Sequence, residues 1–279
     1  MTLQEKLKTF TAQKRGLLAT NYYNLETLHG VLKAASALNQ PVILQLTRSS
    51  IEYMGLKTAV SLGRTGLQEH HVEGWIHLDH GDSVDLVHSC LDAGFDSVMI
   101  DGSELPFEEN IKITSRVVKL SAPYKANVEA ELGYIAKLGQ SSAHQGFTQV
   151  NEVKTFVEAT GIDALAIAIG TSHGFYKAEP QLQFELLSAI RSSVETVLVL
   201  HGGSGVSASQ LKEAINRGIC KVNLATEIKN IFMKTLQVLL ADNEEIDLRK
   251  VFPKATKKVT ELVREKLEIM ETSGFPPGD

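Results

Sequence analysis

Three of the nine histidines stand at or just past the end of an apolar, β-rich run: His80 in His77-Leu78-Asp79-His80-Gly81, His173 in Gly170-Thr171-Ser172-His173-Gly174, and His201 in His201-Gly202-Gly203-Ser204-Gly205. Neutral imidazole nitrogen suits zinc, and a catalytic zinc takes about three protein ligands while keeping one position for water or substrate. These three imidazoles are read as one metal site. Asp79, Asp101, Glu129 and Glu131 belong to the same level of the fold. Asp79, adjacent to a ligand, is the best candidate for a general base, and the other carboxylates read as groups that orient imidazoles. His77 lies one layer below and reads as an internal hydrogen-bond partner, while His29, His70, His71 and His88 read as ordinary core or surface residues.

The run Gly202-Gly203-Ser204-Gly205 leads into a helix near Ser207, and Asn223-Leu224-Ala225-Thr226 opens another. Backbone N–H groups and a hydroxyl in such settings cradle anions. Lys177, just after His173, adds positive charge. The ligand expected is a small phosphate ester. A zinc ion beside a carboxylate base and an anion cradle suits chemistry that builds charge on a carbonyl oxygen, such as aldol cleavage through an enediolate. An imine route would need an inward-pointing lysine near the C-terminal end of a strand. Lys125 and Lys221 are expected to precede their strands, so the metal route is preferred.

These groups need elements to hold them. Eight strands are predicted, at Leu17 to Tyr23, Pro41 to Thr47, Gly74 to His80, Ser97 to Ser103, Ala126 to Gly133, Ala164 to Gly170, Val197 to His201 and Lys221 to Thr226. Their starts recur about every 29 residues, close to the ~30 of one βα unit. Helical patterns lie between them: Leu25, Leu28, Leu32 and Leu38 share a face behind Asn24 as N-cap, and Val84, Val87 and Leu91 share another before Gly94. The fold predicted is α/β, a single (β/α)8 TIM barrel spanning residues 1–279. No GxGxxG follows the first strand, which argues against a doubly wound sheet.

Alternation predicts Trp75, His77 and Asp79 inside the barrel, with Asn127, Glu129, Glu131, Val197, Val199, His201, Asn223 and Ala225. Strict alternation turns His80 outward, so it joins the site only if the strand has ended and the loop turns back at Gly81. An extra amphipathic helix is expected from Lys254 to Thr272, either covering the barrel or making an oligomer contact. Residues 273–279 are expected to form a flexible tail.

Of the 279 residues 43% are hydrophobic and 22% charged, with a net charge of −5. That leaves no basic footprint for nucleic acid or an anionic membrane surface. Cys90 and Cys220 form no CxxC pair, so no disulfide framework is suggested. No run approaches the ~18 apolar residues of a membrane span. The expectation is a soluble, cytoplasmic protein with neither nucleic-acid nor membrane partners.

With these motifs in place the chain resembles the class II, zinc-dependent ketose-bisphosphate aldolases of the fructose and tagatose type. The likeness covers nearly the whole length. It rests on His77 to Gly81, on Ser97 to Ser103 with Leu105-Pro106-Phe107, on Glu129 to Gly133, and on the segments opening at Gly170, His201 and Asn223. It implies that His80, His173 and His201 hold zinc and that Asp79 takes the proton from the C4 hydroxyl. Asp101 and Glu131 would support a second or alternate metal position. Gly174, Gly202, Gly203, Ser204, Asn223, Leu224, Ala225 and Thr226 would bind dihydroxyacetone phosphate, joined by Lys177 and, through looser matches, by Thr47 and Asn24.

The resemblance further implies a homodimer or homotetramer and leaves room for a monovalent cation. Ala225, where fructose-type enzymes often carry aspartate, leans toward tagatose. One segment departs from the pattern. The family's Gly-Gly-x-Glu-Asp loop is replaced by Lys137 to Phe147, which contains no carboxylate. His144 could stand in for the missing acid or be a surface-loop residue. A related metal-dependent lyase or isomerase on another sugar phosphate, or a sugar-phosphate-binding protein without turnover, remain the alternatives.

Overall fold

The computed structural model describes residues 1–135, 146–174, 176, 179–241 and 243–271. Eight parallel strands close on themselves in chain order: β1 (Leu17–Asn21), β2 (Val42–Leu46), β3 (Gly74–Gly81), β4 (Ser97–Ile100), β5 (Asn127–Leu132), β6 (Ala164–Ile167), β7 (Val197–Leu200) and β8 (Ile219–Leu224). The final pairing of β8 with β1 leaves no edge strand. Around the barrel lie α2 (Leu25–Leu38), α3 (Arg48–Met54), α4 (Leu56–Glu69), α5 (Val84–Asp92), α6 (Phe107–Ser121), α7 (Val150–Thr160), α8 (Phe184–Ser193), α9 (Ala208–Asn216) and α10 (Thr226–Leu240). Helix α1 (Leu3–Ala12) precedes the first strand and α11 (Leu248–Met270) follows the last helix of the ring.

The expected eight-stranded barrel is therefore observed, and alternation sorts its side chains as predicted. Ile76, Leu78, Val128, Ala130, Val222 and Leu224 pack outward in the layer shared with the helices. Trp75, Met99, Ala166, Val197 and Val199 fill the interior. Three side chains of α1, Leu3, Leu7 and Phe10, belong to that interior cluster and close the N-terminal end of the barrel. The sequence reading gave this segment no element. Its signals were the Leu3, Leu7 and Phe10 spacing and a capping box, in which Thr2 accepts the Glu5 N–H and Glu5 accepts the Thr2 N–H.

Two boundaries move with consequence. β8 begins at Ile219, so Lys221 does not precede its strand but lies within it, 1% exposed. The register of β8 against β7 shifts between Leu198 and Val199, and the extra residue lets both Cys220 and Lys221 face inward. α11 starts six residues before the expected Lys254 and runs through Pro253. It lies along the side of the barrel, where a Cβ on Gly30 of α2 would sit 2.5 Å from Val259. The buried face of α2 is Leu28, Val31, Leu32 and Ala35, whereas Leu25 is exposed. The proposed tail at 273–279 lies outside the described residues.

Candidate active site

Three strands aim polar side chains at one carboxylate on a fourth. Asp79, near the end of β3, receives amide N–H groups from Asn21 of β1 at 3.2 Å, Gln45 of β2 at 3.4 Å and Asn223 of β8 at 3.3 Å. Burial penalises the ionised carboxyl, but the neighbouring His80, His201 and Lys221 and the Asn21 hydrogen bond act the other way and hold it below the ordinary aspartate value. Asp79 is thus ionised and oriented at neutral pH, with three amide donors on its oxygens among the described residues.

His80 reaches the same mouth by a different device from the one expected. The strand has not ended: β3 continues to Gly81, its register against β4 shifts between Leu78 and Gly81, and His80 adopts φ +50°. This bulge reverses the side chain's direction. A left-handed non-glycine residue costs of order 1–3 kcal/mol and marks a place where the surroundings hold the strain. Gly81 permits the close approach, since a Cβ there would lie 2.4 Å from the Met99 carbonyl oxygen.

The imidazoles are fixed from behind by carboxylates. His80 Nδ1 lies 2.8 Å from Asp101 Oδ2, and Asp101 is itself held by the Ser103 N–H and hydroxyl. His201 Nε2 lies 2.9 Å from Glu129 Oε1, while Glu129 Oε2 is 2.8 Å from Lys221 Nζ. A ring N–H donated to a carboxylate leaves the other ring nitrogen as a lone pair, which assigns the tautomers. The inner ring nitrogens face one another: His201 Nδ1 is 2.9 Å from His80 Nε2, which is 3.1 Å from His173 Nε2. One proton can serve only one such contact, whereas a divalent cation satisfies three nitrogens together, so the donor set fits a metal. The ligating atoms of His80, His173 and His201 lie within 4.8 Å of one another, and so do those of His80, Asp101 and Glu131.

The electrostatics follow from burial and neighbours. Burial opposes the charged His80 ring, but the Asp101 hydrogen bond and the charges of Asp79, Glu131 and Asp101 outweigh it and raise its pKa to about 9. Burial and the adjacent His80 and Lys221 hold His201 well below the ordinary histidine range. Glu131, buried and facing Asp101, is pushed up to about 8. Asp101 goes the other way: burial raises it, and the hydrogen bond and charge of His80 with the Ser103 bonds more than reverse that.

A small cleft opens beside Asp79, His173 and His201, walled by Gly174, Gly202, Ser204, Asn223, Ala225 and Thr226. Other expected binding residues are used differently. Gly203 donates its N–H to the Asn223 carbonyl at 3.0 Å, and Leu224 packs outward against the helices. Thr47 and Asn24 cap α3 and α2, accepting the Ser50 and Thr27 N–H groups. Lys177 and His144 lie outside the described residues. Sequence reasoning missed Asn21, Gln45 and Tyr176 at the mouth, and placed Lys221 before its strand rather than inside it. Asn21 and Gln45 were inward positions of their strands by the same alternation that found Glu129.

The chain matches the family described as fructose-bisphosphate aldolase class-II over residues 1–275, and it belongs to that family. It is 37% identical over 279 residues to the D-tagatose-1,6-bisphosphate aldolase subunit GatY of Klebsiella oxytoca, covering 98% of each. It is similar to the YdjI aldolase from Escherichia coli K12, with 31% identity, a TM-score of 0.83 and 98% of each chain covered. A fructose-bisphosphate aldolase from Campylobacter jejuni, at 20% identity and a TM-score of 0.81 over 96% of this chain and 93% of that one, shares the fold.

Proposed function

We propose that this aldolase is zinc-dependent and reversibly cleaves a ketose 1,6-bisphosphate, tagatose in preference to fructose, into dihydroxyacetone phosphate and glyceraldehyde 3-phosphate. The observation that carries the reading is the meeting of three imidazole nitrogens beside an ionised, amide-held Asp79. His80, His173 and His201 would hold the zinc, with Asp101 and Glu131 offering a second or alternate position. Bound zinc supplies a Lewis acid for a carbonyl oxygen.

Asp79 takes the C4 hydroxyl proton, because it is the ionised carboxylate facing the cleft and its partners donate without accepting. Gly174, Gly202, Ser204, Asn223, Ala225 and Thr226 seat a phosphate beside the start of α10, where the Ser204 hydroxyl accepts the Glu227 N–H at 3.3 Å. The positive charge expected of Lys177 remains part of the proposal. Ala225 and the likeness to the tagatose-type relative both favour tagatose. The chain acts as a single domain over residues 1–279, cytoplasmic and assembled as a homodimer or homotetramer, without nucleic-acid or membrane partners. Among the described residues no helix is long and apolar enough to cross a membrane.

A second reading draws on Lys137 to Phe147, which carries no carboxylate. It is a related metal-dependent lyase or isomerase on another sugar phosphate, or a binding protein without turnover. Metal analysis coupled to a cleavage assay with tagatose and fructose bisphosphates, with and without chelator and with monovalent salts varied, tests the set. Cleavage that persists after zinc is stripped overturns the main reading. Ligand-induced thermal stabilisation without product selects the binding protein.

A further inference from the structure

We propose that Tyr176 is a positioning residue whose hydroxyl sets His173 relative to His201 and couples both to the glycine loop after β7. Tyr176 follows His173 by three residues and is half-buried. Its hydroxyl oxygen accepts the Ser172 N–H at 2.9 Å and its proton goes to the Gly202 carbonyl at 2.7 Å. Ser172 immediately precedes His173, and Gly202 immediately follows His201. One phenolic oxygen therefore bridges the two backbones that carry two of the three imidazoles. A phenol has one proton to give and lone pairs to accept with, so the two bonds do not compete.

The bridge sits where the loops already touch. Gly202 holds φ +69°, and a Cβ on it would lie 2.5 Å from the Ser172 carbonyl oxygen, so no side chain can separate the strands of chain there. On the far side, the Tyr176 ring covers the turn at Gly205, where a Cβ would lie 3.2 Å from ring carbon Cδ2. Ring and hydroxyl together hold the loop after β6 against the loop after β7. Burial pushes the phenol's pKa up, so the hydroxyl keeps its proton at neutral pH.

His80 and His201 are steadied by Asp101 and Glu129, whereas Tyr176 acts through backbone on His173 and His201 at once. A site held 1 Å too loosely loses much of its affinity or rate. Gly202 also walls the cleft, so the same hydroxyl shapes the place where a substrate phosphate would sit. The inference rests on the zinc reading proposed above.

The test compares wild type with Tyr176→Phe and with Tyr22→Phe, a control that deletes a buried hydroxyl bonded at 2.7 Å to the Ala59 carbonyl, away from the cleft. Both variants keep the ring, and melting of the zinc-free proteins reports their folding. Zinc dissociation constants come from competition with a chromophoric chelator, and KM and kcat from ketose-bisphosphate cleavage. Tyr176→Phe should weaken zinc binding roughly tenfold, as loss of supporting contacts around ligands does, and raise KM. Tyr22→Phe should keep wild-type zinc affinity whatever its melting temperature. If Tyr176→Phe binds zinc as tightly as wild type, or if Tyr22→Phe loses as much affinity, the inference falls and the zinc reading stands. If wild type itself binds no zinc, the reading falls first.

Discussion

Lys221 and Glu129 form an ion pair at 2.8 Å in the middle of the barrel, 1% and 0% exposed, directly behind the His201 imidazole. Removing one partner of a buried pair leaves an uncompensated charge, which costs about 3–5 kcal/mol. Lys221→Met is expected to lose stability of that order in urea unfolding. The double variant Lys221→Met/Glu129→Gln, which carries no orphan charge, should recover part of it. A loss under about 1 kcal/mol for the single variant would show that the pair is not structural.

Lys221 also shows what the sequence hid. Apolar and polar alternation made the eight strands legible, along with the inward direction of Asp79, Glu129 and Glu131, because each strand has one face on the helices and one on the axis. A bulge adds one residue and reverses the facing of everything beyond it, and it leaves no mark in composition. The barrel has such shifts at His80 and at Cys220. The first redirects His80, which strict alternation turned outward, and the second adds Cys220 as an inward residue beside Lys221. The anion loops were legible as glycine clusters, but which of their N–H groups were already taken, as at Gly203, depends on contacts between strands far apart in sequence.

Asn21 and Asn24 separate two roles that sequence proximity blurred. Asn21 donates to Asp79, while Asn24 accepts the Thr27 N–H as the cap of α2. Asn24→Ala should cost about 1 kcal/mol in thermal or urea unfolding, the usual worth of such a cap, with KM unchanged. Asn21→Ala should lower kcat by leaving the general base less well oriented. Equal effects of the two substitutions on kcat would contradict this division.

The side cover depends on a glycine. A Cβ on Gly30 would meet Val259 Cγ1 at 2.5 Å and the Thr256 carbonyl oxygen at 3.2 Å. Overpacking of this kind costs about 1–3 kcal/mol because α2 and α11 must move apart. Gly30→Ala should lower the melting temperature and leave kcat unchanged, since the contact lies on the barrel's flank. Pairing it with Val259→Ala should restore most of the loss, and failure to do so would place the strain elsewhere.

Metal removal reads the histidine cluster most directly. His80 Nε2 approaches both His173 Nε2 and His201 Nδ1 within 3.1 Å, an arrangement that gains from any cation able to accept three lone pairs. A ligand that binds only the folded state stabilises it by about 4 kcal/mol at a thousand times its dissociation constant. Chelation should therefore lower the melting temperature and added zinc restore it, while His201→Gln should abolish the increment. Asp79→Asn should behave in the opposite way. The increment persists, because the imidazoles are intact, but turnover falls by about 10²–10⁴, the range for a lost general base. If Asp79→Asn loses the zinc increment as well, the carboxylate serves the metal rather than the substrate hydroxyl, and its assignment as the base must be given up.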